Sequence, residues 1–385
     1  MDTTVVFKNV RMVLVDEVIH GTLSVESGRI VAINSGSTSV AQAIDMEGDM
    51  LLPGFVEIHT DNFERHLIPR PKVHWAELPA LLAHDAEIAA AGITTVFDAM
   101  GVGDVEHDSL RGGDMSRVIA VIDDSMAQGI LRADHHLHVR CELPAANAVE
   151  LFQPFHDHER LSLISLMDHT PGQRQWEDLS HARIYYTGKK GWSQEKFDHQ
   201  VAHAQMLQQR YVEPHRRYFV DYCRAHGIAL ASHDDTTAEH VVLAHQEGAF
   251  ISEFPTTRVA AQTAQALGLL TVMGGPNVVR GGSHSGNVAA AELARQGLLD
   301  ILSSDYVPGS LLTAVLRLVD DGIFSLPEAV ATVSRNPARA TGLADRGEIA
   351  QGLRADLVRV KRVTLPDGSH HGVVRSVWRQ GLRVL

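Results

Sequence analysis

The sequence predicts an α/β fold: a (β/α)8 barrel of the TIM type, with a small β-sandwich domain built from both chain termini. Three observations lead there. The middle of the chain alternates short apolar runs with longer helical stretches, the pattern of βα units around a parallel sheet. Eight such runs fall within roughly 250 residues, the ordinary length of a closed barrel. The two ends of the chain instead alternate apolar and polar residues at strand period, with glycines between the runs.

Taken in order, the N-terminal runs TTVVFKNVRMVLV and GTLSVESGRIVAIN, punctuated by Gly28 and Gly36, read as an antiparallel β unit. The predicted barrel strands follow at 54–61, 93–99, 135–143, 162–168, 228–233, 250–254, 270–274 and 299–304. Stretches such as AELPALLAHDAEIAAAG and LPEAVATVSRNPARA supply helices between them. Segment 171–225 is too long for a simple connection. It carries a polar helical stretch near 194–211 and is expected to shape the substrate pocket. The C-terminal GEIAQGLRADLVRVKRV and GVVRSVWRQGLRVL return to the style of the N-terminus. The expected division is therefore 1–53 plus 346–385 for the small domain and 54–345 for the barrel.

Bulk properties exclude several classes. No run approaches the ~18 apolar residues of a membrane-spanning helix, and the opening MDTTVVFKNVRMVLVDE is too charged to be a leader. Two cysteines, Cys141 and Cys223, cannot form a disulfide framework, which points to a reducing, cytoplasmic setting. Cys141 is expected to fill strand packing. A net charge of −13 argues against nucleic acid and anionic membranes as partners. A small anionic substrate would have to be held by local basic groups and metal. A homodimer is the expectation from symmetry base rates.

The strand ends carry the chemistry. The active site of such a barrel lies at the C-terminal ends of its strands. There the sequence places His59 and Asp61 (EIHTD), Glu142 (RCELP), Asp168 and His169 (LMDHT), His233 (ASHDD) and Asp305 (SSDYVP). His59 and Asp61 are two apart, so on a strand they share one face. Nitrogen and oxygen donors suit Zn²⁺, with Mn²⁺ or Fe²⁺ as alternatives. Glu142 could bridge two ions, with His169 and His233 completing the second site. Any one of these has a bland reading: a lone strand-end histidine is usually structural, and Asp305 could cap a helix. Their joint placement at five strand ends favours the metal site. Asp168 reads as a support for His169 or as a turn residue, and Asp234 and Asp235 read as caps of the next helix. The glycine-rich loop 281–286, with Arg280, Ser283 and His284, could wrap a phosphate. Arg70, Lys72, Arg140 and Arg174 are further basic candidates for substrate; Lys189 and Lys190 read as solvated surface residues.

These strings carry a family resemblance. LLPGFVEIHTD, GITTVFDA, the single histidines of the middle strands, SSD, NPARATGL and GEIAQGLRADLV resemble the amidohydrolase superfamily across nearly the whole chain. Within it, HTDNFERHLIPRPKVHW, HLHVRCELP, SLMDHTPGQRQ, EFPTT and PNVVRGGSHSGNVAA are similar to the triphosphate diphosphatases of the carbon–phosphorus lyase pathway. The resemblance implies hydrolysis of α-D-ribose 1-methylphosphonate 5-triphosphate to the 5-phosphate and pyrophosphate. Most of the superfamily has His-x-His on its first strand, whereas this chain has His59-Thr60-Asp61, and Glu142 takes the place of a carboxylated lysine. On this reading Asp305 acts as general base as well as ligand. Two rivals remain at this stage. One is an amidohydrolase acting on a cyclic amide or N-acyl group; the other is an inactive barrel serving as a binding protein.

Overall fold

The computed structural model of the chain describes residues 4–70, 73–103, 115–174, 179–180, 183, 187–188, 193–283 and 286–385. Five strands open it: β1 (Val5–Val13), β2 (Val18–Glu26), β3 (Arg29–Ser35), β4 (Ile44–Asp45) and β5 (Met50–Pro53). The β2–β3 hairpin turns on Ser27 and Gly28, both with positive φ (48° and 78°). A two-residue turn of that handedness matches the natural twist of the strands it joins.

The barrel follows: β6 (Phe55–Thr60), β7 (Ile93–Val102), β8 (Asp134–Glu142), β9 (Leu161–Met167), β10 (Ala229–His233), β11 (Ile251–Glu253), β12 (Leu270–Gly274) and β13 (Ile301–Ser303). Each of these strands overlaps one of the eight predicted from sequence. Neighbours pair in parallel in chain order from β6 to β13. The first and last strands meet at a parallel bridge between Thr60 and Asp305. Three further strands, β14 (Leu357–Thr364), β15 (His370–Arg379) and β16 (Leu382–Arg383), return to the first sheet, with β14 antiparallel to β5. Its order is β16-β15-β14-β5-β1-β2-β3, with β4 paired to β1. Phe7 and Trp378, from opposite ends of the chain, meet edge to face at 4.9 Å in its core.

Local signals set the helices between the strands. Ala238–Glu247 and Arg258–Leu267 each begin where a threonine hydroxyl (Thr237, Thr257) accepts an amide of the first turn, and each ends at a left-handed glycine. The helix expected near 194–211 runs on as Gln194–His226, capped by Ser193 and closed by Gly227. Its second half is held by burial of Phe219, Val220, Tyr222 and Cys223 against the barrel, which offsets Pro214 inside it. Among the described residues, no helix is long and apolar enough to cross a membrane.

Strand alternation then fills the barrel. Leu163, Ala231, Ile251, Val272 and Ile301 form a buried apolar layer. Two residues further along the same strands, on the same face, stand Ser165, His233, Glu253, Gly274 and Ser303. β8 presents His138, Arg140 and Glu142 in the same alternation. The apolar floor therefore gives way to a polar layer at the mouth.

Candidate metal centre

The closure of the barrel builds one wall of the site. The Asp305 carbonyl accepts from the Thr60 hydroxyl (2.8 Å) and the Asp61 amide (2.9 Å). Glu57, fully buried, accepts from the amides of His59 (2.7 Å) and Ser304 (2.5 Å). Burial pushes the Glu57 carboxyl up to about 6. The clasp holds the residues on either side of the seam, His59, Asp61 and Asp305, in fixed relation. Asp305 itself sits at φ 54°, a left-handed conformation that Asp tolerates better than most residues. The cap of the following helix is Gly309, so capping is not the work of Asp305.

Above the floor, Glu253 gathers the histidines. Its Oε1 lies 3.0 Å from His59 Nδ1, and its Oε2 lies 3.2 Å from His233 Nδ1. Burial alone would raise the Glu253 pKa, yet His59 and His138 hold it well below the usual carboxylate range. Across the mouth, the Nδ1 of His169 lies 2.5 Å from Glu142 Oε2. The Nε2 atoms of His169 and His233 stand 3.8 and 3.6 Å from one oxygen of Asp234. Those separations are long for hydrogen bonds but close to the roughly 3.4 Å between two donors on one tetrahedral zinc ion. The donor set therefore fits a divalent metal. A cavity of about 200 Å³ opens directly over it, lined by His59, Arg140, His169, His233, Asp234 and Asp305 on the metal side. Phe254, Met273, Arg280, Ser283 and Tyr306 complete its lining, Phe254 packing edge to face on His59 and His233.

Comparison with known proteins agrees with this architecture. The amidohydrolase family model matches residues 185–385. The α-D-ribose 1-methylphosphonate 5-triphosphate diphosphatase of Escherichia coli K12 is 46% identical over 381 residues, 98% of this chain and 100% of that protein. The chain belongs to the amidohydrolase family. Solved structures of low identity share its fold. N-acetylglucosamine-6-phosphate deacetylase from Pasteurella multocida matches with a TM-score of 0.62 at 13% identity, covering 99% of each chain. Dihydropyrimidinase from Brevibacillus agri matches with a TM-score of 0.60 at 14% identity, covering 100% of this chain and 95% of that one.

Within this amidohydrolase, the mouth brings His59, Asp61, Glu142, His169, His233 and Asp305 together, and Arg140, Arg280 and Ser283 reach the cavity. Arg140 is buried and pairs with Asp61 at 2.5 Å, so Asp61 faces a guanidinium as well as any cation. Other candidates lie elsewhere. Arg174 is buried beside the site, donating to the His233 carbonyl (2.6 Å) and to Asp235 (2.7 Å), so it supports the strand end and does not line the cavity. Arg70 is exposed and outside the cavity lining. Lys72, His284, Lys189 and Lys190 fall outside the described residues. Asp168 accepts from the Thr170 amide and from Gln208, making it a turn residue that ties the long helix to the mouth.

Three site residues escaped the sequence reading. Asp234 reads as a helix cap, but the cap is Thr237, and Asp234 at φ 53° lines the cavity. Glu253 and His138 sit on inner faces that alternation along β8 and β11 could have exposed. Their partners, however, come from distant strands: 194 residues separate Glu253 from His59.

Proposed function

We propose that this chain hydrolyses α-D-ribose 1-methylphosphonate 5-triphosphate to α-D-ribose 1-methylphosphonate 5-phosphate and pyrophosphate. The observation that carries the reading is the end-to-end likeness to the Escherichia coli diphosphatase. The mouth supports it on chemical grounds. Among the described residues, Asp61, Glu142, Asp234, Glu253 and Asp305 gather five carboxylates at the mouth, against the guanidinium groups of Arg140 and Arg280. The negative charge left over is what divalent cations would neutralise, and zinc suits the nitrogen and oxygen donors, two ions being our reading. His59, Asp61, Glu142, His169, His233 and Asp305 would hold them. When bound, such a metal supplies Lewis acidity and lowers the pKa of coordinated water toward neutrality.

The chain's own groups do the rest. Burial, reinforced by Asp61, raises the Asp305 pKa against the opposing pull of His59 and Arg140. Asp305 lines the cavity, where its carboxylate is placed to take a proton as general base. Arg140 is positioned to meet a phosphoryl oxygen as charge develops there. Arg280 and Ser283, which also line the cavity, are placed to receive another phosphate oxygen. Cys141 and Cys223 are free buried thiols, in keeping with the cytoplasmic setting we assign.

Incubating the metal-loaded protein with the triphosphate and following ³¹P NMR tests the reaction. Pyrophosphate and the 5-phosphate should appear together; inorganic phosphate alone, or no turnover, would overturn the proposal. A second prediction concerns Arg140. Loss of one charge-assisted hydrogen bond costs ~1.5–3 kcal/mol, so Arg140→Gln should lower kcat/KM by about ten- to a hundredfold. Steady-state kinetics that leave kcat/KM unchanged would remove Arg140 from that role.

A further inference from the structure

We propose that Glu253 is a positioning residue that sets the tautomer of His59 and His233 together, presenting both Nε2 lone pairs to metal. The inference rests on the metal-centre reading above. Glu253 is completely buried, at the C-terminal end of the three-residue barrel strand β11. An ionised carboxylate accepts hydrogen bonds and donates none. A ring nitrogen 3.0 or 3.2 Å from it therefore carries a proton, and in a neutral imidazole the other nitrogen carries the lone pair. For both His59 and His233 the nitrogen on Glu253 is Nδ1, which leaves Nε2 as the donor atom in each. The His233 Nε2 already points toward Asp234, 3.6 Å away, within the lining of the cavity.

The two rings are held as a pair. Each takes a different oxygen of the same carboxylate, and they stack at 5.6 Å with 18° between their planes. The carboxylate is anchored in turn by the Ser165 hydroxyl, which donates to Oε2 at 2.7 Å. A carboxylate behind one ligand histidine is a familiar way to orient it and raise its basicity. Here one residue serves two histidines from strands that are not neighbours, β6 and β10, so neither can change tautomer without disturbing the other's partner.

Glutamine at this position makes the idea testable. It offers one acceptor oxygen and one amide donor. One histidine keeps its Nδ1–H partner, while the other meets an N–H and must move its proton to Nε2, where it blocks coordination. Zn²⁺ affinity measured by competition with a chromophoric chelator should therefore fall about ten- to a hundredfold in Glu253→Gln. The visible absorption of the Co²⁺-loaded protein should shift with it, and the melting temperature of the metal-free protein should change little. Unchanged Zn²⁺ affinity and an unchanged Co²⁺ spectrum would overturn the inference, even if turnover falls. Long-range ¹H–¹⁵N NMR of histidine-labelled, metal-free wild type reads the tautomers with no variant at all. Protons on Nδ1 of both rings are expected, and a proton on Nε2 alone in either ring overturns it. Failure of the wild type itself to bind Zn²⁺ would overturn the metal-centre reading instead, and this inference with it.

Discussion

Asp305→Asn is expected to lower kcat by about a thousandfold, within the ~10²–10⁴ that a positioned acid or base contributes. The substitution is nearly isosteric. Asn tolerates the left-handed backbone that Asp305 adopts at φ 54°. The barrel seam is spared, because Thr60 and Asp61 bond to the Asp305 carbonyl and not to its side chain. An amide oxygen can still approach a cation, but it cannot accept a proton at neutral pH. Metal analysis of the variant should therefore give largely the wild-type content, while the ³¹P assay shows little pyrophosphate. Turnover close to wild type would refute the base role. Loss of metal together with turnover would assign Asp305 to binding alone.

The largest effect on stability is expected away from the mouth, at His135. This imidazole is fully buried between two carboxylates, with Nδ1 2.8 Å from Asp98 and Nε2 3.4 Å from Asp85. Asp98 also takes His84 Nε2 at 2.7 Å, and Asp85 takes Arg132 at 3.0 Å. Every imidazole nitrogen in the group has a partner, since His84 Nδ1 meets the Asn62 amide at 3.0 Å. The cluster is thus complete as a hydrogen-bonded chain without a metal ion. Burial alone would lower the His135 pKa, but Asp98 and Asp85 overcome it and push it up to about 9. The lowering at Asp98 is the same interaction seen from its partner.

The pH dependence follows from that direction. The folded state holds the His135 proton more tightly than the unfolded chain, whose histidine titrates near 6.5. The stabilisation is fully present below pH ~6.5 and is lost as pH rises through about 9, amounting to ~3 kcal/mol. Urea unfolding at a series of pH values should show that decline. His135→Ala should remove it and lower stability by ~3–5 kcal/mol, because it takes the shared cation from two buried carboxylates, leaving Asp98 with His84 and Asp85 with Arg132 alone. A variant with wild-type stability at pH 6, or a wild type with no decline toward pH 9, would contradict the charge chain.

How much of this was legible varies from residue to residue. His59, Asp61, Glu142, His169, His233 and Asp305 could be assembled from sequence, because each lies at the end of a short apolar run that reads as a barrel strand. In a parallel barrel every strand end faces the same mouth. Arg174 was misread because its neighbours PGQRQ mark a loop, while the Asp235 that captures it lies 61 residues away. Asp234 and Asp235 share one identity and adjacent positions, yet one lines the cavity and the other is buried under Arg174, Ser232 and Ser252. A left-handed backbone at Asp234 separates them, and that conformation has no sequence signature in an Asp-Asp pair.

By itself the sequence determined the fold class and the eight barrel strands, and it named six of the groups that meet at the mouth. These depend on periodicities of two and about four residues, which are local and written in the order of side chains. Tertiary structure alone decided which carboxylate holds which histidine, which arginine is free to meet substrate, and where the buried charges pair. Those choices depend on contacts between segments as far as 247 residues apart, made only when the sheet closes. There, desolvation makes each unpaired polar group costly enough that a partner must be found.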